Sequence, residues 1–300
     1  DIENSKFLSQ LITALLVFIG ITSCALALAQ ENSQSITTDN IIYWQTDHRP
    51  PASIMRGANK GQGYIDGIRE YLISNMPHYQ HKYSTSSLDK LFEDMKKGKN
   101  VCHPLLFVTE ARKELAYFSI AATITPSIRI AIKSNLAQSL QLKEPVNLEQ
   151  LITESRATFA IIKGRSYGPY IDEFLQRQKA LDTHVQISVE DNTTLFKLLE
   201  RDRIDFTFAY PFELTFYQTQ EFSKNTPFKI LSIDGVEDYT LGSVACTKNA
   251  WGMSVIEWVN VVLSQQRQQQ NFIEIINRWW PEESNKAAFQ NFYKDVFLNN

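Results

Sequence analysis

One stretch of the sequence decides the predicted fold and site: Thr109-Glu110-Ala111-Arg112-Lys113-Glu114-Leu115-Ala116-Tyr117-Phe118-Ser119. It follows residues 100–108, whose apolar run predicts a strand, and Thr109 is a residue type that begins helices. Arg112 then lies one turn into that helix, just beyond the strand. A guanidinium there can hold a carboxylate with two parallel charge-assisted hydrogen bonds. From spacing alone, a solvated helix arginine is the alternative.

The sequence before this stretch alternates short strands with amphipathic helices. Residues 41–43 and 79–83 predict strands, and residues 64–76 and 88–97 predict helices with apolar side chains at helical spacing. Because parallel strands need a crossover connection, this β-α-β-α-β order predicts an α/β lobe with a mostly parallel sheet flanked by helices.

The same alternation begins again after Thr125-Pro126. Residues 128–132, 158–162, 185–189 and 204–209 predict strands, with helices between them. We therefore predict two lobes. The first is discontinuous, residues 38–122 with 232–300, and the second, residues 123–231, is inserted into it.

Composition excludes several classes of protein. Of 300 residues, 43% are hydrophobic and 12% aromatic, which excludes a disordered chain. The 30 Lys and Arg against 33 Asp and Glu give a net charge of −3 without a basic block, so nucleic acid is not an expected partner.

Residues 1–29 predict a cleaved signal peptide. Residues 11–29 carry no charge and end in Ala27-Leu28-Ala29, a small-x-small pattern suited to signal peptidase. Two alternatives stay open: a membrane anchor, which needs about 20 apolar residues, and a lipoprotein, because Ile21-Thr22-Ser23-Cys24 resembles a lipobox. All three place the rest of the chain in the periplasm or another extracytoplasmic space.

In an exported protein, the two cysteines outside the leader can form a disulfide with each other. Cys102 and Cys246 each lie in a short apolar run that predicts a buried strand, and they form an even pair in an oxidising compartment. A disulfide would close a long loop and constrain the unfolded chain. Two unpaired small core residues are the alternative.

Four further motifs occur along the chain: Arg49-Pro50-Pro51, Gly63-Tyr64-Ile65-Asp66-Gly67-Ile68, Lys163-Gly164-Arg165-Ser166 and Arg203-Ile204-Asp205. With the spacing of Thr109, Arg112 and Phe118-Ser119, this ordered set resembles the bacterial extracellular solute-binding proteins of the polar amino acid type, which have the type II periplasmic binding protein-like fold. The resemblance covers about residues 40–280. It implies two lobes that are joined by a two-strand hinge and close over a ligand.

The resemblance also implies a set of ligand-binding residues: Arg112, Ser166, Arg165, Tyr167, Tyr210, Trp44, Asp47, His48, Leu105 and Phe107. Arg112 would hold a carboxylate, and Ser166 with the amides of Arg165 and Tyr167 would contact the same anion from a helix N-terminus. Trp44 is pocket wall or core, and Arg165 a ligand contact or a surface cation.

Two departures from the family pattern alter the expected ligand. Tyr210 stands where the family usually has an acid for the ligand's amino group, with Glu213 nearby as a substitute. The first-lobe loop has His103-Pro104-Leu105-Leu106-Phe107 in place of the usual glycine and serine residues. We therefore expect an anionic ligand with an aromatic or apolar body.

The expected function is capture of a small carboxylate-bearing ligand, amino-acid-like or aromatic, for uptake through an inner-membrane ABC permease. The protein is expected to be a monomer. No cofactor or metal is expected, since the sequence lacks the common nucleotide-binding and zinc motifs. A ligand-sensing module for a membrane receptor is the alternative. A dehydratase-like enzyme using His48, Asp47 and Glu213 is a third candidate.

Overall fold

The structure is a computed structural model that describes residues 40–181, 186–220 and 227–300. The predicted leader, Cys24 and residue 185, where one predicted strand begins, lie outside the described residues. Among the described helices, none is both long and apolar enough to cross a membrane.

The first sheet has five strands in the order β2-β1-β3-β10-β4. Their bounds are β1 Ile41–Thr46, β2 Gln80–Thr85, β3 Val101–Leu106, β4 Ala116–Pro126 and β10 Tyr239–Thr247. Strand β1 pairs in parallel with β2 and β3, whereas β10 runs antiparallel to β3 and β4. Every residue of the central strand β3 is buried, whereas the edge strand β2 is mostly exposed, as the polar sequence of β2 predicts.

Helices flank this sheet, and the first two lie where the apolar periodicity of residues 64–76 and 88–97 predicts them. They are α1 Tyr64–Asn75, α2 Leu88–Lys96, α3 Glu110–Lys113, α9 Ala250–Gln266, α10 Gln270–Asn277, α11 Pro281–Ser284 and α12 Ala287–Phe292, followed by a π-helical turn, Tyr293–Phe297. Ser87 and Asn249 begin α2 and α9, since each side chain accepts a hydrogen bond from a first-turn amide.

The second sheet has the order β7-β6-β8-β5-β9. Its strands are β5 Arg129–Lys133, β6 Phe159–Ile162, β7 Gln186–Val189, β8 Phe206–Ala209 and β9 Phe228–Leu231. Its helices are α4 Ser134–Ser139, α5 Leu148–Ser155, α6 Pro169–Leu181, α7 Asn192–Glu200 and α8 Pro211–Gln220. Strand β6 pairs in parallel with β7 and β8, and β5 is antiparallel to β8 and β9.

The chain crosses between the two sheets at two adjacent places. One crossing joins β4 to β5 and the other joins β9 to β10, and the amide of Ser127 donates to the carbonyl of Asp238 at 2.8 Å between them. The predicted two-lobed α/β fold is confirmed, with both sheets mixed because each contains antiparallel strands. The predicted lobe boundaries, residues 38–122 with 232–300 and residues 123–231, stay a prediction.

A disulfide joins two neighbouring strands of the first sheet. Cys102 on β3 and Cys246 on β10 are register partners, both are fully buried, and their sulfur atoms are bonded. The predicted disulfide is therefore confirmed, and the alternative of two unpaired core cysteines is wrong.

Candidate functional site

A cavity of about 40 Å³ lies between the two sheets, with lining residues from both. Three arginines line it: Arg49 and Arg112 from the first lobe, and Arg165 from the second. None of the described residues that line the cavity is acidic. Positive charge therefore surrounds a small space between the lobes.

Arg112 is held by the start of α3. The side chain of Thr109 accepts a hydrogen bond from the amide of Arg112 at 3.3 Å, which is the helix cap that the sequence predicts. The guanidinium donates to two carbonyl oxygens, Phe107 O at 3.0 Å and Gly164 O at 3.3 Å, and lies over the ring of Phe92. Arg112 is buried and has no carboxylate in salt-bridge contact among the described residues.

The surroundings of Arg112 oppose its positive charge. Burial lowers the pKa of this guanidinium to about 10, the more distant carboxylate of Asp172 raises it, and the cation of Arg49 lowers it further. Carbonyl dipoles alone compensate the charge poorly, so an anion in the cavity would stabilise this arginine.

Arg49 reaches the same cavity from the turn after β1. The side chain of Arg49 is 13% exposed, and its Nε lies 3.5 Å from Oδ2 of Asp47 without forming a hydrogen bond to any described residue. The turn is fixed by Asp66, a fully buried carboxylate that accepts hydrogen bonds from Ser53 Oγ and from the amides of Ile54 and Gly63. Asp66 thus places Arg49 from the start of α1.

The positive charges of Arg49 and Arg112 both act on the ring of His103. The ring is buried, and its Nδ1 accepts a hydrogen bond from the amide of Leu105 at 3.0 Å. Burial, Arg49 and Arg112 together hold the pKa of His103 well below its usual range, so the ring is neutral at physiological pH. Its Nε2 has no hydrogen-bond partner among the described residues.

Arg165 on the opposite side has a carboxylate partner. Its guanidinium donates to Glu213 Oε2 at 3.0 Å and lies between the rings of Tyr167 and Tyr210. Burial alone would lower the pKa of Arg165, but the charge and hydrogen bond of Glu213, together with Tyr167 and Tyr210, raise the pKa above the usual value. Arg165 is buried, so the alternative of a surface cation is wrong.

Both carboxylate oxygens of Glu213 accept hydrogen bonds from neighbouring residues. Its carboxylate accepts from Arg165, from the amide of Tyr210 at 3.0 Å and from Asn192 Nδ2 at 3.1 Å. Its side chain is 1% exposed. Glu213 and His48 both line a groove of about 490 Å³, where the carboxylate of Glu213 is paired with Arg165.

The loop after β6 uses its polar groups internally. The hydroxyl of Ser166 donates to Asp172 Oδ2, and the amide of Tyr167 donates to Asp172 Oδ1 at 2.7 Å. The amide of Arg165 donates to the carbonyl of Ile162 at 3.2 Å. The two amides that were expected to meet an anion are thus bonded within the loop, although Ser166 itself lines the cavity.

The predicted ligand-binding residues separate into two groups. Those that line the cavity are Arg112, Arg165, Ser166, Tyr210, Leu105 and Phe107. Tyr167 is buried beside them, where its hydroxyl accepts from the amide of Ile162 at 2.7 Å and burial raises its pKa to about 12.

The three predicted residues on and just after β1, Trp44, Asp47 and His48, do not line the cavity. Trp44 is fully buried in the core of the first lobe, where its Nε1 donates to His81 Nδ1 at 3.1 Å. Asp47 lies beside Arg49. His48 accepts from the amide of Met55 and lines a separate groove of about 490 Å³, where burial and then Arg56 lower its pKa.

Eight of the lining residues were not predicted, and two of these eight, Arg49 and Thr123, have a buried polar atom without a described hydrogen-bond partner. Arg49 was quoted only as part of a proline turn, and a charged residue within the turn after the first strand was the available signal. Thr123 on β4 lines the cavity, is 1% exposed, and its hydroxyl has no hydrogen-bond partner among the described residues. No sequence signal distinguishes Thr123 from Thr125, the other threonine of that strand.

Direct contacts hold the lobes together around the cavity. Arg112 reaches Gly164 O, Asn192 Nδ2 reaches Pro50 O at 3.4 Å, and Lys163 pairs with Asp89 at 2.8 Å. Gly164 adopts a φ of +72°, and a side chain there would meet Asp89 at 2.8 Å. The lobes are therefore closed on each other.

No protein-family model matches the sequence, and neither does any curated protein. Solved structures do match. An amino acid ABC transporter substrate-binding protein from Streptococcus pneumoniae, bound to L-arginine, is similar with a TM-score of 0.61 and 15% identity, over 82% of this chain and 96% of that chain.

Two further structures cover the chain to the same extent. The solute receptor for L-cysteine of Neisseria gonorrhoeae has a TM-score of 0.62 and 15% identity, over 83% of this chain and 95% of that chain. The periplasmic VFT2 domain of Bordetella pertussis BvgS has a TM-score of 0.59 and 14% identity, over 80% and 94%. At these identities the likeness shows the fold, which is the type II periplasmic binding protein-like fold.

Proposed function

We propose that the protein is an exported solute-binding protein that captures a small anionic, carboxylate-bearing ligand between its two lobes. The S. pneumoniae and N. gonorrhoeae structures with this fold are named as substrate-binding protein and solute receptor, which supports a binding role over catalysis. We assign the protein to the periplasm or another extracytoplasmic space, as a monomer that delivers its ligand to an ABC permease.

The observation that carries this proposal is the state of Arg112. This buried guanidinium faces the cavity between the lobes, yet its partners are two carbonyls rather than a carboxylate. A ligand carboxylate could accept two parallel hydrogen bonds from it and would neutralise its charge. Arg112 is thus the anion-binding residue of the proposal.

Ligand entry requires the lobes to separate. A single water needs roughly 10–15 Å³ of cavity space, so this cavity holds only about three waters. The two adjacent crossings between the sheets supply a hinge about which the lobes can move. The closed arrangement then reopens at contacts such as Lys163–Asp89 and Asn192–Pro50.

Calorimetry on Arg112→Met tests the proposal. We expect affinity for a carboxylate ligand to fall about 30-fold or more, because the loss of one partner from a buried charge pair costs at least about 2 kcal/mol. Arg267→Met is a matched control, because Arg267 is also buried, donates to carbonyls and lies over a phenylalanine ring, but close to the C-terminal end of the chain.

Circular dichroism of both variants establishes that they are folded under the conditions of the titration. Unchanged affinity in folded Arg112→Met, or an equal loss in both variants, would remove Arg112 from the site.

A sensing role is the second candidate, because the BvgS VFT2 domain shares the fold. Uptake of labelled ligand by cells with and without the gene separates the two roles. Transport predicts lost uptake in the deletion strain, whereas sensing predicts normal uptake with a lost transcriptional response. Sequencing the mature N-terminus tests export, with Gln30 as the expected first residue if cleavage follows Ala29.

A further inference from the structure

We infer that the ligand is a small dicarboxylate without an ammonium group, which places one carboxylate on Arg112 and the other on Arg49. This inference rests on the proposed function and adds a second ligand-binding residue and a ligand class to it.

The first argument is the charge on the cavity wall. Arg49 and Arg112 both line the cavity, and none of its described lining residues is acidic. The two cations repel each other, since the charge of Arg49 makes the protonated state of Arg112 less favourable. Asp47 lies 3.5 Å from Arg49 Nε without a hydrogen bond to it, so a ligand with one negative group on Arg112 leaves Arg49 with this weak pairing alone. A second negative group compensates both.

The second argument is that no described acid lines the cavity to receive an ammonium group. Glu213 accepts from Arg165, Asn192 and the amide of Tyr210, and Asp172 accepts from Ser166 and the amide of Tyr167. Asp47 has one carboxylate oxygen 3.5 Å from Arg49 Nε and the other without a described hydrogen-bond partner, but it is not among the described residues that line the cavity. An ammonium group buried among arginines without a carboxylate would carry a large desolvation cost with no compensation. A zwitterionic amino acid therefore fits this cavity poorly.

The third argument is that unused polar atoms occur where a second carboxylate would lie. The Nε of Arg49 and the hydroxyl of Thr123 are buried, and both lack a hydrogen-bond partner among the described residues. Both residues line the cavity. Each can donate to a carboxylate oxygen. Leu88 and Leu105 also line the cavity, and they offer an apolar surface to a short methylene chain between the two carboxylates.

Calorimetry with three matched ligand series tests the inference. The first series contains straight-chain dicarboxylates from malonate to adipate, the second the monocarboxylates of the same chain lengths, and the third aspartate and glutamate. We expect the best dicarboxylate to bind at least about tenfold more tightly than its matched monocarboxylate and its 2-amino derivative.

The Arg49→Gln variant should remove this preference. Its best dicarboxylate and the matched monocarboxylate should then bind within about threefold of each other, whereas Arg49→Lys, which keeps the charge, should retain most of the preference. Arg129→Gln is the matched control. Arg129 is similarly buried, at 17% exposed, and pairs with Asp238 at 3.1 Å, but it lies on β5 and does not line the cavity.

The outcomes separate this inference from the proposed function. Monocarboxylates or amino acids that bind as tightly as dicarboxylates would overturn the inference and leave an anion-binding protein. A dicarboxylate preference that persists in Arg49→Gln would remove Arg49 from the site. If no member of the three series binds, the proposed function itself fails.

Discussion

Arg112 and Arg165 approach one cavity from opposite lobes, but their surroundings differ. Arg165 donates to the buried carboxylate of Glu213 and lies between two tyrosine rings. Arg112 donates to carbonyls and forms no ion pair, and burial with the cation of Arg49 opposes its charge more than the distant carboxylate of Asp172 supports it. The same residue type therefore forms an internal ion pair on one side and an uncompensated cation on the other.

This difference distinguishes a structural arginine from a binding arginine. A buried cation that is already neutralised gains little from an added anion, whereas an uncompensated one gains much. Stability should thus depend mainly on Arg165, and ligand affinity mainly on Arg112.

The largest expected effect is the loss of stability in Arg165→Met. Removing this cation leaves Glu213 as a buried charge without its partner, so the free energy of unfolding should fall by about 3–5 kcal/mol. Arg112→Met removes an uncompensated cation, and we expect a change of about 1 kcal/mol or less. Urea denaturation of both variants without ligand measures the difference.

The double variant Arg165→Met with Glu213→Leu identifies the cause. Apolar replacement of a whole buried ion pair is often neutral, so most of the lost stability should return. A double variant as unstable as Arg165→Met would show that the ion pair is not the reason, and equal losses in Arg112→Met and Arg165→Met would contradict the comparison.

The disulfide tests how the Arg112 side is supported. Cys102 lies on β3, the strand that leads to Arg112, and its bond to Cys246 closes a loop across a sequence separation of 144. Replacing both cysteines by alanine should lower the free energy of unfolding by about 2–5 kcal/mol, since the unfolded chain gains freedom. Affinity at low temperature should persist. A large loss of affinity in the folded variant would show that the bond also positions Arg112.

His103 gives the smallest expected effect and reports the positive potential on the Arg112 side. Its folded pKa lies well below the usual 6.5, so the unfolded chain binds the proton first as pH falls. Its contribution is therefore present above pH 6.5 and is lost below it, by up to about 1.4 kcal/mol per pH unit.

Denaturation of His103→Asn at about pH 7 and about pH 5 measures how much His103 contributes to the loss of stability on acidification. The variant should lose less stability on acidification than the unmodified protein. Part of the loss should remain, because the pKa values of His48 and His81 are also lowered, in both cases chiefly by burial. An equal loss in the two proteins would mean that His103 is not held neutral in the folded state.

Local patterns predicted much of the fold. The alternation of apolar runs with helical periodicity predicted both lobes, and the side chain of Thr109 caps α3 as expected. The site was harder to predict. Trp44 was assigned to pocket wall or core, and it lies in the core because it is on the buried face of β1, whereas Tyr43 beside it on the same strand is exposed. Sequence shows that a tryptophan follows a strand start, but not which face of the sheet it occupies.

Local sequence patterns predict the two α/β lobes, the burial of both disulfide cysteines and the position of Arg112 beyond a strand. These features depend on short-range periodicity and capping, which neighbouring residues control. Three other features became visible in the tertiary structure alone. Glu213 pairs with Arg165, Arg49 shares the cavity with Arg112, and none of the described residues that line the cavity is acidic. These facts depend on which side chains meet when distant segments pack together and the lobes close, and spacing along the chain does not encode that geometry.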